Sequence, residues 1–125
     1  MDIVLSNTSG VPIYEQIKAQ IKAAILRGEL AEGDALPSIR GLARDLQVSV
    51  ITTTRAFSDL AAEGFVTNVP GKGSFVLPRD SELVREQVLR DVEAHLGKAI
   101  AAARLASLTP TELHQVLDAL LTEES

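Results

Sequence analysis

The 125-residue chain contains no cysteine and no tryptophan, and only one tyrosine, three phenylalanines and one methionine. Without cysteine there is no disulfide framework, thiolate-bound zinc, iron–sulfur centre or thiol nucleophile. That usage fits a cytoplasmic protein. No apolar run approaches the roughly 18–20 residues of a membrane span, and no basic start followed by an apolar stretch marks a signal peptide. What remains is a globular composition, 46% hydrophobic and 23% charged, with enough apolar residues to bury a core unaided.

Catalytic groups are also scarce. His95 and His114 fall on separate helical patterns, with no Gly-x-Ser-x-Gly motif or acidic pair in an apolar setting beside them. Gly71-Lys72-Gly73 is too short for a phosphate-binding loop, which needs a strand before it and a helix after it. Here strand patterns lie on both sides. No enzymatic activity, cofactor or metal is expected.

A net charge of −5 argues at first against nucleic acid. The acidity is unevenly placed. Residues 1–79 hold eight basic and eight acidic side chains, whereas 80–125 hold four basic and nine acidic. Within 35–79, Arg40, Arg44, Arg55, Lys72 and Arg79 outnumber Asp45, Asp59 and Glu63. A weakly basic segment joined to an acidic one points to two parts with different partners.

The periodicities give an element order. The first nine residues carry little pattern and read as a loose arm. A helix begins near Pro12, with Ile13, Ile17, Ile21 and Ile25 in one stripe, and stops at Gly28. Ala35-Leu36 reads as a very short strand, and Ser38 caps a helix over 39–46. After a break at Gln47-Val48, Ser49 caps a second helix to about Glu63, with Thr53, Ala56, Phe57 and Leu60 inward. Residues 65–69 and 74–77 form a hairpin with a glycine-rich tip carrying Lys72. From Ser81 to Ala106 the pattern is helical again, with Val84, Val88, Val92, Leu96 and Ile100 every four residues. Thr109-Pro110-Thr111-Glu112 is a capping box opening a last helix with Leu113, Val116, Leu117, Leu120 and Leu121.

This is a mainly α chain with a small β-hairpin. Its expected organisation is a winged helix-turn-helix DNA-binding domain over 1–79 and a two-helix α-helical dimerisation segment over 80–125. Pattern alone also leaves open a protein–protein adaptor that docks through the winged domain.

The residues themselves carry a resemblance. Pro12-Ile13-Tyr14-Glu15-Gln16-Ile17, Gly28-Glu29-Leu30, Leu36-Pro37-Ser38-Ile39-Arg40, Val48-Ser49, Arg55-Ala56-Phe57, Glu63-Gly64 and Gly71-Lys72-Gly73-Ser74-Phe75-Val76 resemble, in order and spacing, the GntR family of bacterial transcription regulators. The similarity covers about residues 11–77. The short tail resembles the YtrA-like subfamily, whose helical tail dimerises. The resemblance implies a homodimeric regulator, expected to be a repressor, that occupies an inverted-repeat operator on double-stranded DNA. Any small-molecule effector, of unknown identity, is expected in a cleft between the tail helices and the DNA-binding domain or at the dimer interface.

The resemblance also implies a set of DNA-binding residues: Ser38, Arg40 and Arg44 around the first helix of the motif, Ser49, Val50, Ile51, Thr52, Thr54 and Arg55 on the second, and Gly71, Lys72 and Gly73 at the wing tip. The dimerisation residues are the two apolar rows from Val84 to Ile100 and from Leu113 to Leu121. The sequence departs from the family at several of these positions. Many members carry Arg or Asn after the Ser49 position and Arg near Thr54, and have Gly at Gln47. Val50 and Ile51 either touch thymine methyls or pack inward, and Arg55 either meets DNA or pairs with Asp59. Tyr14 is expected to be a packing residue.

Overall fold

In the computed structural model, which describes residues 1–124, five helices and one hairpin follow the expected order. Helix α1 spans Ile13–Leu26, α2 Ile39–Leu46 and α3 Val50–Ala62. Strands β1 (Val66–Val69) and β2 (Gly73–Val76) pair antiparallel, with Val66 opposite Val76 and Val69 opposite Gly73. Helix α4 spans Glu82–Leu105 and α5 Pro110–Glu124. The sheet has two strands, and the short strand expected at Ala35-Leu36 is reduced to an isolated bridge between Ala35 and Phe75.

The chain divides into two compact units, residues 1–85 and a second from Glu86 onward. The first is the winged helix-turn-helix. Its core joins Ile17, Ile21 and Ile25 of α1, Leu42 and Ala43 of α2, and Ala56, Phe57 and Leu60 of α3. Phe65, Val66 and Val76 close it from the hairpin side. Thr53 is fully buried among them and gives its hydroxyl proton to the Ser49 carbonyl at 3.2 Å, so no polar atom is stranded.

Two expectations are corrected within this unit. The first concerns the arm, which is not loose. The carboxamide of Gln20 accepts from the Val4 N–H at 2.9 Å and donates to the Val4 carbonyl at 2.7 Å. Gln16 does the same for Ser6, both at 2.8 Å. Each side-chain amide thus stands in for one residue of a neighbouring strand.

The second correction is Val84. Its place in the four-residue stripe suggested a dimer contact, but it lies in the first unit and is 1% exposed. The first turn of α4 is thus part of the winged unit. Arg79, just before it, donates from Nη1 to the Leu26 carbonyl at 3.1 Å and so caps the C-terminus of α1 with a positive charge. An open cleft of about 590 Å³ beside it is lined by Ile25, Gly28, Leu30, Val76, Leu77 and Arg79, among others.

In the second unit, α4 and α5 are joined by a turn in which Ser107 has φ 59. The capping box forms as read: Thr109 Oγ1 accepts from the Glu112 N–H and Glu112 Oε1 from the Thr109 N–H, both at 3.1 Å.

Candidate nucleic-acid interface

The α2–α3 junction is set by local hydrogen bonds. Ser38 Oγ accepts from the Gly41 N–H at 3.0 Å, satisfying one of the free donors at the start of α2. α2 ends at Gln47, which adopts the left-handed conformation at φ 57, ψ 45. Ser49 then starts α3, accepting from the Thr52 N–H at 3.0 Å and donating to Thr52 Oγ1 at 2.8 Å. Among the expected interface residues, Ser38 is therefore engaged with the Gly41 backbone, and Ser49 with the backbone and hydroxyl of Thr52. The hydroxyl protons of Ser38 and Thr52 are left to point elsewhere.

The outward face of α3 follows from the inward one. Thr53, Ala56, Phe57 and Leu60 are buried, which turns Ile51, Thr54, Arg55 and Ser58 toward solvent. Ile51 is 82% exposed and Val50 37% exposed. Ile51 does not pack into the chain's own core, whereas Val50 is about two-thirds covered by it. Two apolar residues at the start of a helix that opens onto solvent suit contact with a partner that has apolar groups of its own, such as thymine methyls.

Arg55 does not pair with Asp59. Its guanidinium carbon lies 3.8 Å from the centre of the Tyr14 ring, a stacked cation–π contact between α3 and α1. Asp59 turns instead to Lys18 Nζ, at 3.6 Å. Lys18 also meets Glu63 at 3.0 Å and Glu15 at 3.5 Å, while Lys22 holds the other oxygen of Glu63 at 3.0 Å. Burial pushes the Lys18 ammonium down. The hydrogen bond to Glu63 and the charges of Glu63, Glu15 and Asp59 outweigh it and leave the pKa above its ordinary 10.5. Lys22 lies over the Phe65 ring at 5.3 Å.

The remaining cations are open. Arg40 on α2 is exposed and makes no ion pair among the described residues. Arg44 is also exposed and approaches only its neighbour Asp45, at 4.0 Å, a surface contact of little energetic weight. At the wing, Lys72 donates its backbone N–H to the Val69 carbonyl at 3.0 Å, with Gly71 at φ 74. Pro70 and Gly71 occupy the central positions that a type II turn demands. Gly73, at φ 119, leaves the tip on the strand side. Gly71, Lys72 and Gly73 are all exposed, and nothing lies within 4 Å of where a Cβ on either glycine would stand. The tip is thus a narrow, unobstructed cationic projection.

In the second unit the expected apolar rows are largely uncovered. Val92, Leu96 and Ile100 of α4 are exposed, as are Val116, Leu117, Leu120 and Leu121 of α5, while Val88 and Leu113 are half-buried. Leu89 is exposed as well. Among the described residues no group of acidic, histidine or cysteine side chains is arranged to hold a metal, and no helix is long and apolar enough to cross a membrane.

Tyr14 and Arg79 are the residues that sequence reasoning did not place. The sequence marks Tyr14 only as a packing residue and Arg79 only as one more basic residue of the segment. Both roles are contacts between distant elements, for which helix periodicity carries no signal.

Comparison with known proteins places this geometry. Residues 13–76 match the family model described as bacterial regulatory proteins, gntR family. The chain is 30% identical over 113 residues to the HTH-type transcriptional repressor YtrA of Bacillus subtilis, covering 90% of this chain and 87% of that one. It covers less than a third of several longer relatives that it also matches. Among solved structures, YtrA from Sulfolobus acidocaldarius, a GntR-family transcription factor, superposes with a TM-score of 0.61 at 38% identity, over 76% of this chain and 97% of that one. The DNA-binding domain of AraR, solved in complex with operator ORE1, superposes with a TM-score of 0.52 at 29% identity, over 61% of this chain and 93% of that one.

Proposed function

The chain belongs to the GntR family of bacterial regulatory proteins, and we propose that it represses transcription by holding an inverted-repeat operator as a cytoplasmic homodimer. The observation that carries this reading is the set of exposed cationic, hydroxyl and apolar side chains on the helix-turn-helix and its wing. Ile51, Thr54 and Arg55 on α3, Arg40 on α2 and Lys72 at the wing tip are all exposed in one small unit. An α-helix fits the major groove of B-DNA, and its first residues reach base edges. Arg40 and Arg55 contact bases or phosphates, and Lys72 follows the backbone or minor groove. Val50 and Ile51 contact thymine methyls, where other family members use polar side chains. The operator complex of the AraR domain supports DNA as the partner, and the repressor function named for the Bacillus relative supports the sign of regulation.

The exposed rows on α4 and α5 supply the assembly. So many uncovered leucines, isoleucines and valines on one short segment are unusual for a monomer. A two-fold pairing buries them and sets two α3 helices for two half-sites. The organisation is then a DNA reader that runs through the first turn of α4, to about residue 85, with a dimerising segment from Glu86 onward.

The test combines sedimentation with sequencing of genomic DNA fragments retained by the purified protein. A dimer at micromolar concentration and an enriched inverted repeat support the proposal. A monomer, or retained fragments without a shared motif, contradicts it. In the second case the winged domain acts as a protein-docking module.

A further inference from the structure

The geometry points to Tyr14 as a positioning residue for DNA binding: its ring holds the Arg55 guanidinium on the α1–α3 surface, ready for a phosphate oxygen. The inference rests on the proposed reading of this surface as DNA-binding, and adds to it a residue on α1, outside the helix-turn-helix.

Three observations lead there. The first is the stack itself. The guanidinium carbon lies over the Tyr14 ring, 3.8 Å from its centre. Tyr14 is half-buried and Arg55 exposed, so the ring is the fixed partner and the guanidinium the presented one. A cation on a ring face keeps its N–H donors at its rim, where they remain free for another acceptor.

The second observation is the disposal of the acids. Asp59, one turn beyond Arg55 on α3, and Glu15, next to Tyr14 on α1, are the carboxylates placed to neutralise this guanidinium. Both are drawn to Lys18, at 3.6 Å and 3.5 Å, and Glu63 is shared between Lys18 and Lys22. Arg55 makes no ion pair among the described residues. Two lysines thus take up three carboxylates, and the arginine beside them is left with an aromatic partner that offers no competing negative charge.

The third is placement. Arg55 lies on the outward face of α3 one turn after Ile51, alongside Thr54. A side chain on that face, further from the helix start than the base-reading positions, is at the level of the backbone and not of the base edges. Immobilising a long arginine on binding opposes affinity. A guanidinium already stacked in place avoids much of that loss.

Operator affinity and its salt dependence test the inference in the full-length protein, with thermal melts run alongside. Tyr14→Leu is expected to weaken operator binding about two- to fivefold, the size of an exposed cation–π contact. Tyr14→Phe, which keeps the ring face, is expected to bind as the unaltered protein does. Arg55→Ala should lower the salt slope by about one per subunit, and adding Tyr14→Leu to it should change nothing further. Arg55→Lys, which keeps the charge and gives up the planar stack, should behave like Tyr14→Leu and does not disturb α1. Equal losses for Tyr14→Phe and Tyr14→Leu would overturn the inference, as would an undiminished Tyr14→Leu effect in the Arg55→Ala background, or full affinity in both Tyr14→Leu and Arg55→Lys. Those results leave operator binding itself intact. An unaltered protein that binds no DNA would remove the functional reading and this inference together.

Discussion

The side chain of Leu83 occupies the space that a Cβ on Gly64 would need, with its Cδ2 only 2.7 Å from that position. Gly64 ends α3 at φ +87, and Leu83 belongs to the first turn of α4. One glycine therefore serves two ends: it lets the chain leave α3 in a left-handed turn, and it admits Leu83 of the first turn of α4 against that turn. Gly64→Ala is expected to destabilise the protein by on the order of 2–3 kcal/mol, from left-handed strain together with overpacking. Leu83→Ala added to it should recover the packing part and leave the strain. Denaturant melts of the two variants separate these contributions.

Gln47 offers the opposite case. It holds φ 57, ψ 45 at the end of α2, a conformation that costs a side-chain-bearing residue energy and a glycine almost none. Gln47→Gly should stabilise the chain by about 0.5–1 kcal/mol, the relief of strain being partly offset by the greater freedom of glycine in the unfolded chain. A rise of a few degrees in Tm is the expected readout.

The Lys18 cluster predicts a stability that depends on alkaline pH. Because the folded-state pKa of Lys18 is raised above 10.5, its charge stabilises the fold fully below that value. The contribution is lost as pH rises through the folded pKa. The stability gap between the unaltered protein and Lys18→Met should therefore be constant from pH 7 to about pH 10 and shrink above it. A gap that stays constant to pH 12 contradicts the prediction.

Arg40 and Lys72 should divide the work of binding. Arg40→Ala is expected to cost about 1–3 kcal/mol and relax preference at one position in each half-site if the guanidinium is bidentate to guanine. Lys72→Ala should weaken all sequences about equally and lower the salt slope by roughly one per subunit. Replacing thymine by uracil in each half-site should cost at most ~0.8 kcal/mol per methyl where Val50 or Ile51 lies against it. Binding isotherms at several salt concentrations supply all three readouts.

The helix-turn-helix was legible because its signals are local. Ser38 and Ser49 announce helix starts within three residues, and the inward row of Thr53, Ala56, Phe57 and Leu60 follows from a 3.6-residue period. What escaped reading is long-range. The arm is held by Gln16 and Gln20, polar residues with no pattern linking them to Val4 and Ser6. The stack of Arg55 on Tyr14 joins two helices distant in sequence, and the same holds for Arg79 on the Leu26 carbonyl. Val84 misled because a four-residue stripe identifies an apolar face, and not which neighbour covers it. Its period continues into Val88 and Val92, while its cover belongs to the winged unit.

The most direct measurement is the affinity of the purified protein for its enriched operator against a scrambled duplex of the same length and composition, followed across salt concentration. Operator binding is expected to be about 10³-fold or more tighter than binding to the scrambled control, with log affinity falling linearly as log salt rises. Equal affinity for the two duplexes, or affinity indifferent to salt, would contradict it.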